Sequence, residues 1–500
     1  MSSIPIVQGT AVPVGGGGGD AGKNSYQSPP NEYGFGDNDV YVAAPSENQP
    51  FNNNNNRVGR EEQQQPSQFR DPIWAVAFIL HLIAMVGVIS YNLATGAGAG
   101  GDAGDAASSS SIGGLLFLTG VCGLAAVGIG TLTLNLMMKF PKEMVKTSLI
   151  FTVGMSLFVA VIGFMSGQIF FGCLGLLSFA IGVCYAKLVW PRIPFAAANM
   201  NTALTAVKSN MGLSVVAYGI MALALGWTTL WFVGLGGALA TSNTGIIFLL
   251  LLSYYWTHQV LANTVHVTTA GTVGTWWFVP EEANSCWSSA IQDSFCRATT
   301  YSFGSICFGS FLVALVQALR ALANIARQND DMQLLLCIVE CILACIQSII
   351  EYFNQWAYVY VGLYGQSFLE AGQNVMQLFQ QKGWTVIIND DLVDRVLLMV
   401  SVGVGFLVGF IGMIIALTNN NLLAGIVDNA DGTSVGAVGF FVGMVAGFVF
   451  TSILMSVVGS ANNTVIVCFA ESPAEFEANH PQLSAEMRSA WVQAWPELQF

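Results

Sequence analysis

Long apolar segments follow one another along most of the chain and are separated by shorter polar ones. Each has about 18 residues or more, which is enough for an α-helix to cross a hydrocarbon layer roughly 30 Å thick. Asp71 and Pro72 indicate the start of the first helix, because Asp is a favoured N-cap and Pro is tolerated at the first helical position. The pattern predicts about ten membrane-spanning helices, at residues 72–93, 113–138, 147–165, 168–188, 212–236, 243–270, 301–325, 332–350, 392–417 and 436–460.

The composition indicates the same class of protein. Of the 500 residues, 54% are hydrophobic and 9% are charged. A soluble domain has about 25% charged residues, so a soluble protein with this composition would lack the charge to cover its surface. The predicted fold is therefore an all-α, polytopic membrane helix bundle in contact with lipids. The 16 Lys and Arg residues are scattered and form no basic stripe, which argues against a nucleic-acid partner.

Polar, low-complexity sequence precedes the first apolar segment. Residues 15–19 are all Gly and residues 52–56 are all Asn, and such sequence buries too little apolar surface to become ordered. We expect a disordered N-terminal tail at 1–70 with no cleavable signal peptide. A transmembrane transporter domain is predicted at 71–470 and a C-terminal tail at 471–500.

The distribution of Lys and Arg predicts the orientation. Arg57, Arg60 and Arg70 precede the first helix, and cytoplasmic segments carry the excess of positive residues. The N- and C-termini are both expected in the cytoplasm. The polar segment from Arg320 to Asp331 is the exception, since alternation places it on the outer side.

Residues 353–381 have an apolar stripe at helical spacing and a face rich in Gln. A polar face of this kind favours an amphipathic helix at the cytoplasmic interface, or packed under the bundle, over one that crosses lipid. If the segment did span, the count would be eleven. Glu351 and Glu370 are accordingly expected near the interface.

One predicted span is unusually polar. Tyr255, Gln259, Asn263 and His266 fall within a sector of about 100° on a helix. Polar side chains are costly against lipid tails, so this stripe is expected to face the protein interior or a water-filled cavity. We predict a solute site there.

Several motifs in this half of the chain resemble those of the choline transporter-like proteins (solute carrier family 44), and most closely their fungal "pH nine sensitive" branch. They are His266 to Phe278 (HVTTAGTVGTWWF), Arg297 to Ile306 (RATTYSFGSI), Phe308 to Ser310 with Val316 and Gln317, Asn354 to Tyr358 (NQWAY), Leu363 to Gly365, and Asn463 to Ala470 (NTVIVCFA). The resemblance covers about 70–470. It implies a plasma-membrane or organellar carrier of choline or a related amine, with about ten spans and proton exchange as the proposed coupling. The short segment at 95–112 matches the fungal branch, whereas animal members have a long first outer loop.

A quaternary ammonium ion donates no hydrogen bond and is held by aromatic faces, often beside a carboxylate. The substrate-binding candidates are Trp227, Trp231, Tyr254, Tyr255, Gln259, Asn263 and Glu340. The alternative for the aromatic residues is an interfacial belt, which we expect for Trp276 and Trp277. Gln259 and Asn263 could instead form hydrogen bonds between helices.

His258, His266 and Glu340 are the candidates for proton coupling. The charge state of a His changes near neutral pH, which suits exchange of substrate with a proton. Each His could instead be a buried residue bonded to a neighbouring hydroxyl or carbonyl. Glu340 lies within an apolar segment, where a charge must be paired or hydrated, and its alternative role is an ion pair with Arg320.

No enzyme motif is present: the sequence lacks G-x-S-x-G, a Walker A loop and H-E-x-x-H. These patterns carry the nucleophile, the phosphate cradle and the zinc ligands of common enzyme classes. We therefore predict no enzymatic activity, no cofactor and no metal, and without a nucleotide-binding loop any transport must be secondary or facilitated. The alternative from another class is a non-transporting scaffold or regulator of lipid or cell-surface homeostasis. A channel is a third, for which no ring of like charges is apparent.

Overall fold

The computed structural model of the protein describes residues 67–95, 106–241, 244–326, 333–382, 392–419 and 432–496. All regular secondary structure in these ranges is helical. The predicted N-terminal tail up to residue 66, most of the 95–112 segment and the segment 327–332 with its charged residues lie outside the described residues.

Ten long helices match the ten predicted spans and confirm a polytopic helical bundle. They are α1 (Pro72–Thr95), α2 (Ala106–Lys139), α3 (Pro141–Met165), α4 (Ile169–Val189), α6 (Gly212–Thr241), α7 (Thr244–Phe278), α9 (Phe303–Ala326), α10 (Gln333–Tyr364), α12 (Leu392–Thr418) and α13 (Gly432–Glu471). Five shorter helices complete the described chain: α5 (Ile193–Ser209), α8 (Ser289–Thr299), α11 (Phe368–Gln381), α14 (Pro473–Asn479) and α15 (Pro481–Ala494).

Nine stretches in the described ranges are long and apolar enough to cross a membrane. Helix α7 is not among them, although it has 35 residues. Its length exceeds what a bilayer requires, so its polar composition is what sets it apart. The long helix that is missing from these nine stretches is thus the one that carries the predicted stripe.

One end of the bundle is fixed by the residues before α1. The Asp71 carboxylate accepts hydrogen bonds from the Ser305 hydroxyl (2.7 Å) on α9 and from the backbone N–H of Phe368 (2.9 Å), the first residue of α11. Arg70 donates through Nε to the carbonyl of Gly365 (3.0 Å) after α10. We call this end, where α1, α9 and α11 begin and α10 ends, the terminal end.

Two apolar cores hold the helices together. The larger one unites α1, α6, α7, α9, α10 and α11 with the C-terminal helices α14 and α15. The second unites α2, α3 and α12. Helices α5 and α13 contribute residues to both cores, so these two helices connect the two groups.

Helices α12 and α13 approach closely through glycines. A Cβ added to Gly412 would collide with the carbonyl oxygen of Gly439, and one added to Gly443 would lie 2.6 Å from that of Val408. Small residues permit this backbone contact. It joins α13 to the second core along much of its length.

The amphipathic segment predicted at 353–381 divides at Gly365. Residues 353–364 continue α10, and Gly365 ends that helix with φ +61°, a conformation that favours glycine. The remainder forms α11, which buries Phe368, Val375 and Phe379 against α10. The apolar stripe is therefore shared by two helices, because a periodic pattern does not reveal a break at one glycine.

The segment after residue 471 forms two helices at the terminal end. The Phe476 ring stacks on Trp277 with a centroid distance of 3.9 Å, and Asn479 donates to the carbonyls of Trp277 (2.9 Å) and Phe278 (3.0 Å). Trp276 and Trp277 are 1% and 0% exposed. The interfacial belt expected for them is therefore wrong, because α14 covers the end of α7.

His480 completes this contact. Its ring stacks on Trp276 at 3.9 Å, and its Nε2 lies 3.0 Å from the Trp276 carbonyl oxygen. Burial lowers the pKa of His480 below its usual value, and the carbonyl contact partly opposes this change. The C-terminal segment is thus joined to the helix that carries the polar stripe.

Candidate functional site

Helix α7 satisfies many of its polar side chains through its own backbone. The hydroxyls of Thr264, Thr268 and Thr272 donate to the carbonyls four residues earlier, at 2.7, 2.7 and 2.9 Å. A hydroxyl bonded in this way has a partner within its own helix and is not left unpaired in the bundle. Four longer polar side chains of α7 lie instead around a cavity.

The cavity has a volume of about 670 Å³ and lies beside the middle of α7. Residues of α6, α7, α9, α10, α12 and α13 form its wall. Glu351, Asp394 and Ser456 in the lining are exposed. Its size falls within the range of about 300–1,000 Å³ that is usual for small-molecule sites.

Four of the nine predicted site residues line this cavity: His258, Gln259, Asn263 and His266. Trp227, Trp231 and Tyr254 instead form an apolar cluster with Met85 and Leu250; we call it the aromatic cluster. Tyr255 is half-buried and packs against the larger core. Glu340 is half-buried on α10, about three turns before the cavity residue Glu351.

His266 bridges α7 to two other helices. Its Nε2 lies 3.1 Å from the carbonyl oxygen of Gln355 on α10, and its Nδ1 lies 2.8 Å from the Ser460 hydroxyl on α13. A carbonyl only accepts, so Nε2 carries a proton. The Ser460 hydroxyl donates to Nδ1 when the ring is neutral and accepts from it when the ring is charged.

His258 has an equivalent arrangement with α6. Its Nδ1 lies 2.9 Å from the Tyr254 carbonyl oxygen, and its Nε2 lies 3.0 Å from the Thr228 hydroxyl. That hydroxyl also lies 2.8 Å from the carbonyl oxygen of Ala224 and has a single proton to donate. Donation to His258 suits the neutral ring, and donation to Ala224 suits the charged one. Both histidines can therefore gain a proton and keep their partners.

Asn263 belongs to a hydrogen-bonded group on the α9 and α10 side of the cavity. Its Nδ2 donates to the Ser310 hydroxyl at 2.9 Å, and the Tyr358 hydroxyl donates to the Ile306 carbonyl at 3.1 Å. The Ser310 and Tyr358 hydroxyls are 3.3 Å apart. Gln259 donates to Gln317 of α9 at 3.4 Å. The polar stripe thus joins helices as well as facing the cavity.

The chain matches the profile of a known protein family over residues 173–474, and that family is described as "Plasma-membrane choline transporter". The chain belongs to the choline transporter-like family. It is a multi-pass membrane protein, and members of the family are membrane transporters.

Relatives of this choline transporter-like chain include fungal and amoebal proteins. It is 28% identical over 464 residues to Protein PNS1 of Mycosarcoma maydis, which covers 87% of this chain and 85% of the relative. It is 29% identical over 409 residues to Protein PNS1 of Cryptococcus neoformans, covering 73% of this chain and 72% of the relative. A CTL-like protein of Dictyostelium discoideum is 29% identical over 297 residues, covering 57% and 52%. These matches confirm the resemblance to the fungal branch of the family.

Two carboxylates of the cavity were not predicted as site residues of the choline transporter-like chain. Glu351 accepts from Gln347 at 2.6 Å, and Gln347 in turn accepts from Arg320. Asp394 lies in the first turn of α12 and lines the cavity together with Gly459. Glu351 was expected near the interface because the span was drawn to end at residue 350, whereas α10 continues to Tyr364.

Asn354, Gln355, Tyr358, Ser460 and Asn463 also line the cavity and were not among the candidates. A signal for four of them was present, since Asn354, Gln355, Tyr358 and Asn463 belong to motifs that carry the family resemblance. Ser460 lies outside those motifs. Among the described residues, no group of three His, Cys, Asp or Glu side chains is placed to hold a metal ion.

The aromatic cluster begins where the cavity ends. The Tyr254 ring lies 4.2 Å from the His258 ring and 4.8 Å from the Trp231 ring. Trp231 is 6% exposed and donates through Nε1 to the carbonyl of Leu250 at 2.8 Å. Along α6 and α7 this cluster lies farther from the terminal end than the cavity does, because α6 begins and α7 ends there. Tightly packed rings therefore border the cavity on one side.

Proposed function

We propose that this protein is a secondary carrier that moves choline or a related amine across the plasma membrane, and that the cavity beside α7 holds the solute. The observation that carries the proposal is a cavity of about 670 Å³ in the middle of a helix bundle, lined by four polar residues of α7 and by two carboxylates. Ionisable side chains within a membrane bundle are costly and are typical of solute and ion pathways.

The charges of the lining fit a cationic solute. Glu351 and Asp394 both line the cavity, and the Arg320 guanidinium contacts Gln347 rather than the cavity wall. A carboxylate attracts an ammonium group more strongly in a bundle of low dielectric than in water. The aromatic faces that line this cavity are those of Tyr358, His258 and His266, so we assign the cation to the carboxylates together with these rings.

The arrangement corresponds to one state of an alternating-access cycle. The exposed Asp394 lies at the start of α12, and the aromatic cluster closes the path on the other side of His258. Arg70 and Lys208 lie towards the terminal end, and cytoplasmic segments carry such positive charges. We therefore infer that the termini are cytoplasmic and that the cavity is open to the cytoplasm.

Proton exchange would use His258 and His266. Each ring contacts a hydroxyl that can donate to it or accept from it, so each can be neutral or charged without losing a hydrogen bond. His266 also joins α7 to α10 and α13, so a change in its charge acts directly on two helices of the cavity wall. Glu340 is outside this group of contacts, and we keep it as a secondary candidate.

The test is uptake of radiolabelled choline into proteoliposomes that contain the purified full-length protein. We expect saturable uptake above that of protein-free liposomes, with accumulation when the lumen is more acidic than the outside, because an outward proton gradient would drive entry by exchange. Absence of uptake of choline and of other small amines, from correctly folded protein, would contradict the carrier and favour a non-transporting scaffold.

A further inference from the structure

Asn354 lies on the cavity wall and takes no part in the contacts assigned to transport so far. We propose that its side-chain carbonyl accepts a hydrogen bond from a hydroxyl group of the solute and selects amines that carry a hydroxyl. The inference rests on the proposed carrier function and deepens it, since it identifies a specificity-determining residue.

The orientation of the Asn354 amide follows from its donor bond. Nδ2 donates to the Gly309 carbonyl on α9 at 2.9 Å. A carbonyl only accepts, so the nitrogen must face Gly309 and Oδ1 must face away from it. The residue is 4% exposed and lines the cavity.

Oδ1 of Asn354 is buried and has no hydrogen-bond partner among the described residues. Most buried polar atoms are paired, and an unpaired acceptor is costly. The neighbouring polar groups have other partners: Asn263 donates to Ser310, and Tyr358 donates to the Ile306 carbonyl. The cavity wall thus contains a covered acceptor without a donor, and a solute hydroxyl can supply the donor where it displaces the atoms that cover Oδ1.

The chemistry of a hydroxylated quaternary amine matches this acceptor. Such an ion has no N–H, so its hydroxyl is its one donor. Glu351 precedes Asn354 by three residues on α10 and lies on the same face of the helix. An ammonium group beside Glu351 would place a hydroxyl two carbons away within reach of Asn354. A solute without the hydroxyl would leave Oδ1 unpaired.

Asn199 provides a matched control elsewhere in the bundle. It is 1% exposed, it donates through Nδ2 to Asn462 at 2.7 Å, and its Oδ1 is also without a partner among the described residues. It lies between α5 and α13 at a separate small cavity of about 30 Å³ that includes Phe195 and Trp495. Replacing it removes the same chemical group at similar burial, away from the solute.

The experiment measures competition against radiolabelled choline uptake into proteoliposomes by unlabelled choline and by ethyltrimethylammonium, which is choline without its hydroxyl. In the wild type we expect ethyltrimethylammonium to compete about tenfold more weakly than choline, the cost of one unpaired acceptor. In Asn354→Leu the ratio should fall to about one, because neither solute finds an acceptor. Asn354→Asp retains an acceptor and should keep a preference, and Asn199→Leu should keep the wild-type ratio.

The outcomes separate the two proposals. A wild type that takes up no choline contradicts the carrier and this inference together. A wild type that takes up choline but does not distinguish the two competitors overturns only the role of Asn354. A tenfold preference for choline over ethyltrimethylammonium that persists in Asn354→Leu would also overturn the role of Asn354. The same holds if Asn199→Leu loses this preference as fully as Asn354→Leu does. If Asn354→Leu fails to elute as a folded protein, Asn354→Ala replaces it with the same expectation. The measured quantity is the ratio of the competition by choline to that by ethyltrimethylammonium, which a general loss of stability does not change.

Discussion

The cavity and the aromatic cluster are adjacent regions of the same helix pair, and they differ in how their side chains are satisfied. Around the cavity, His258, His266 and Asn263 bond to groups on other helices and still face open space. In the aromatic cluster, Trp231 and Tyr254 contact one another and Trp231 donates to the backbone. The first region is polar and open, and the second is apolar and packed.

This difference shows which residues can respond to a solute. A side chain that faces a cavity can exchange a water molecule for a solute at little cost, whereas a packed ring must first leave its neighbours. We therefore assign binding in this state to the cavity and closure of the opposite path to the cluster. The predictions below test that division.

The largest effect is expected from the cavity carboxylates. The double variant Glu351→Gln/Asp394→Asn removes both negative charges from the lining, and we expect the apparent affinity for choline to fall about 100-fold, as two attractive charges in a medium of intermediate dielectric would require. The concentration dependence of choline uptake by proteoliposomes measures this change.

Glu340→Gln is the matched control for that variant. It removes one carboxylate from the same helix as Glu351, at a position outside the cavity lining. Its apparent affinity should stay within about twofold of the wild type, since a charge screened by distance contributes little. A loss of affinity in Glu340→Gln as large as that in the double variant would reverse the assignment and restore Glu340 as the counter-charge.

The polar stripe could be predicted because polar side chains have a high free energy in contact with lipid tails. Polar side chains such as Gln259, Asn263 and His266 are costly on one face of a spanning helix unless they face a cavity or form hydrogen bonds, and the structure shows both for these three residues. The ten spans were predictable for the complementary reason, that long apolar segments have few alternatives. The sequence placed a candidate site residue, Glu340, on α10, whereas the contribution of α9, α12 and α13 to the wall was not predicted, because it depends on contacts distant in sequence.

Aromatic residues illustrate what a pattern leaves undetermined. The sequence alone does not distinguish Trp227, Trp231 and Trp277. The structure places the first two beside Met85 and Leu250, and it stacks the third on Phe476. A large apolar ring is stable in a core, at an interface or in a binding site. Only its neighbours distinguish these cases, and for Trp277 the neighbour lies in the C-terminal segment.

A second prediction concerns proton coupling within the cavity. If exchange with one proton drives entry, a gradient of one pH unit should sustain about a tenfold accumulation of choline. His266→Gln retains hydrogen-bonding capacity but does not gain a proton, so this variant should equilibrate choline without accumulating it. His258→Gln, tested in the same way, identifies which His carries the proton. Accumulation that persists in both variants would exclude the histidines as proton carriers.

A third prediction compares the access of water-soluble reagents to the cavity and to the aromatic cluster. Ser456→Cys introduces a thiol in the exposed part of the cavity, and Trp231→Cys introduces one in the aromatic cluster. A water-soluble maleimide reacts with thiolates that it can reach, so Ser456→Cys should be modified about fivefold faster than Trp231→Cys. The chain has ten native cysteines, all free, and the rates are therefore measured in a variant in which these are replaced. Equal rates would mean that the two regions do not differ in access to water.

The smallest effect is expected at Trp227. Its indole Nε1 is buried and has no hydrogen-bond partner among the described residues. Trp227→Phe removes that unpaired donor and keeps an aromatic ring in the cluster, so the loss of packing is partly offset by the loss of a buried polar group. If the cluster only closes the path, the apparent affinity for choline should change by less than about twofold, a limit well below the cost of a lost cation–π contact. The concentration dependence of uptake and the thermal unfolding temperature measure the two effects separately. A larger loss of affinity at unchanged stability would show that this ring contacts the cation during the cycle, and the cluster would then be part of the solute path as well as its closure.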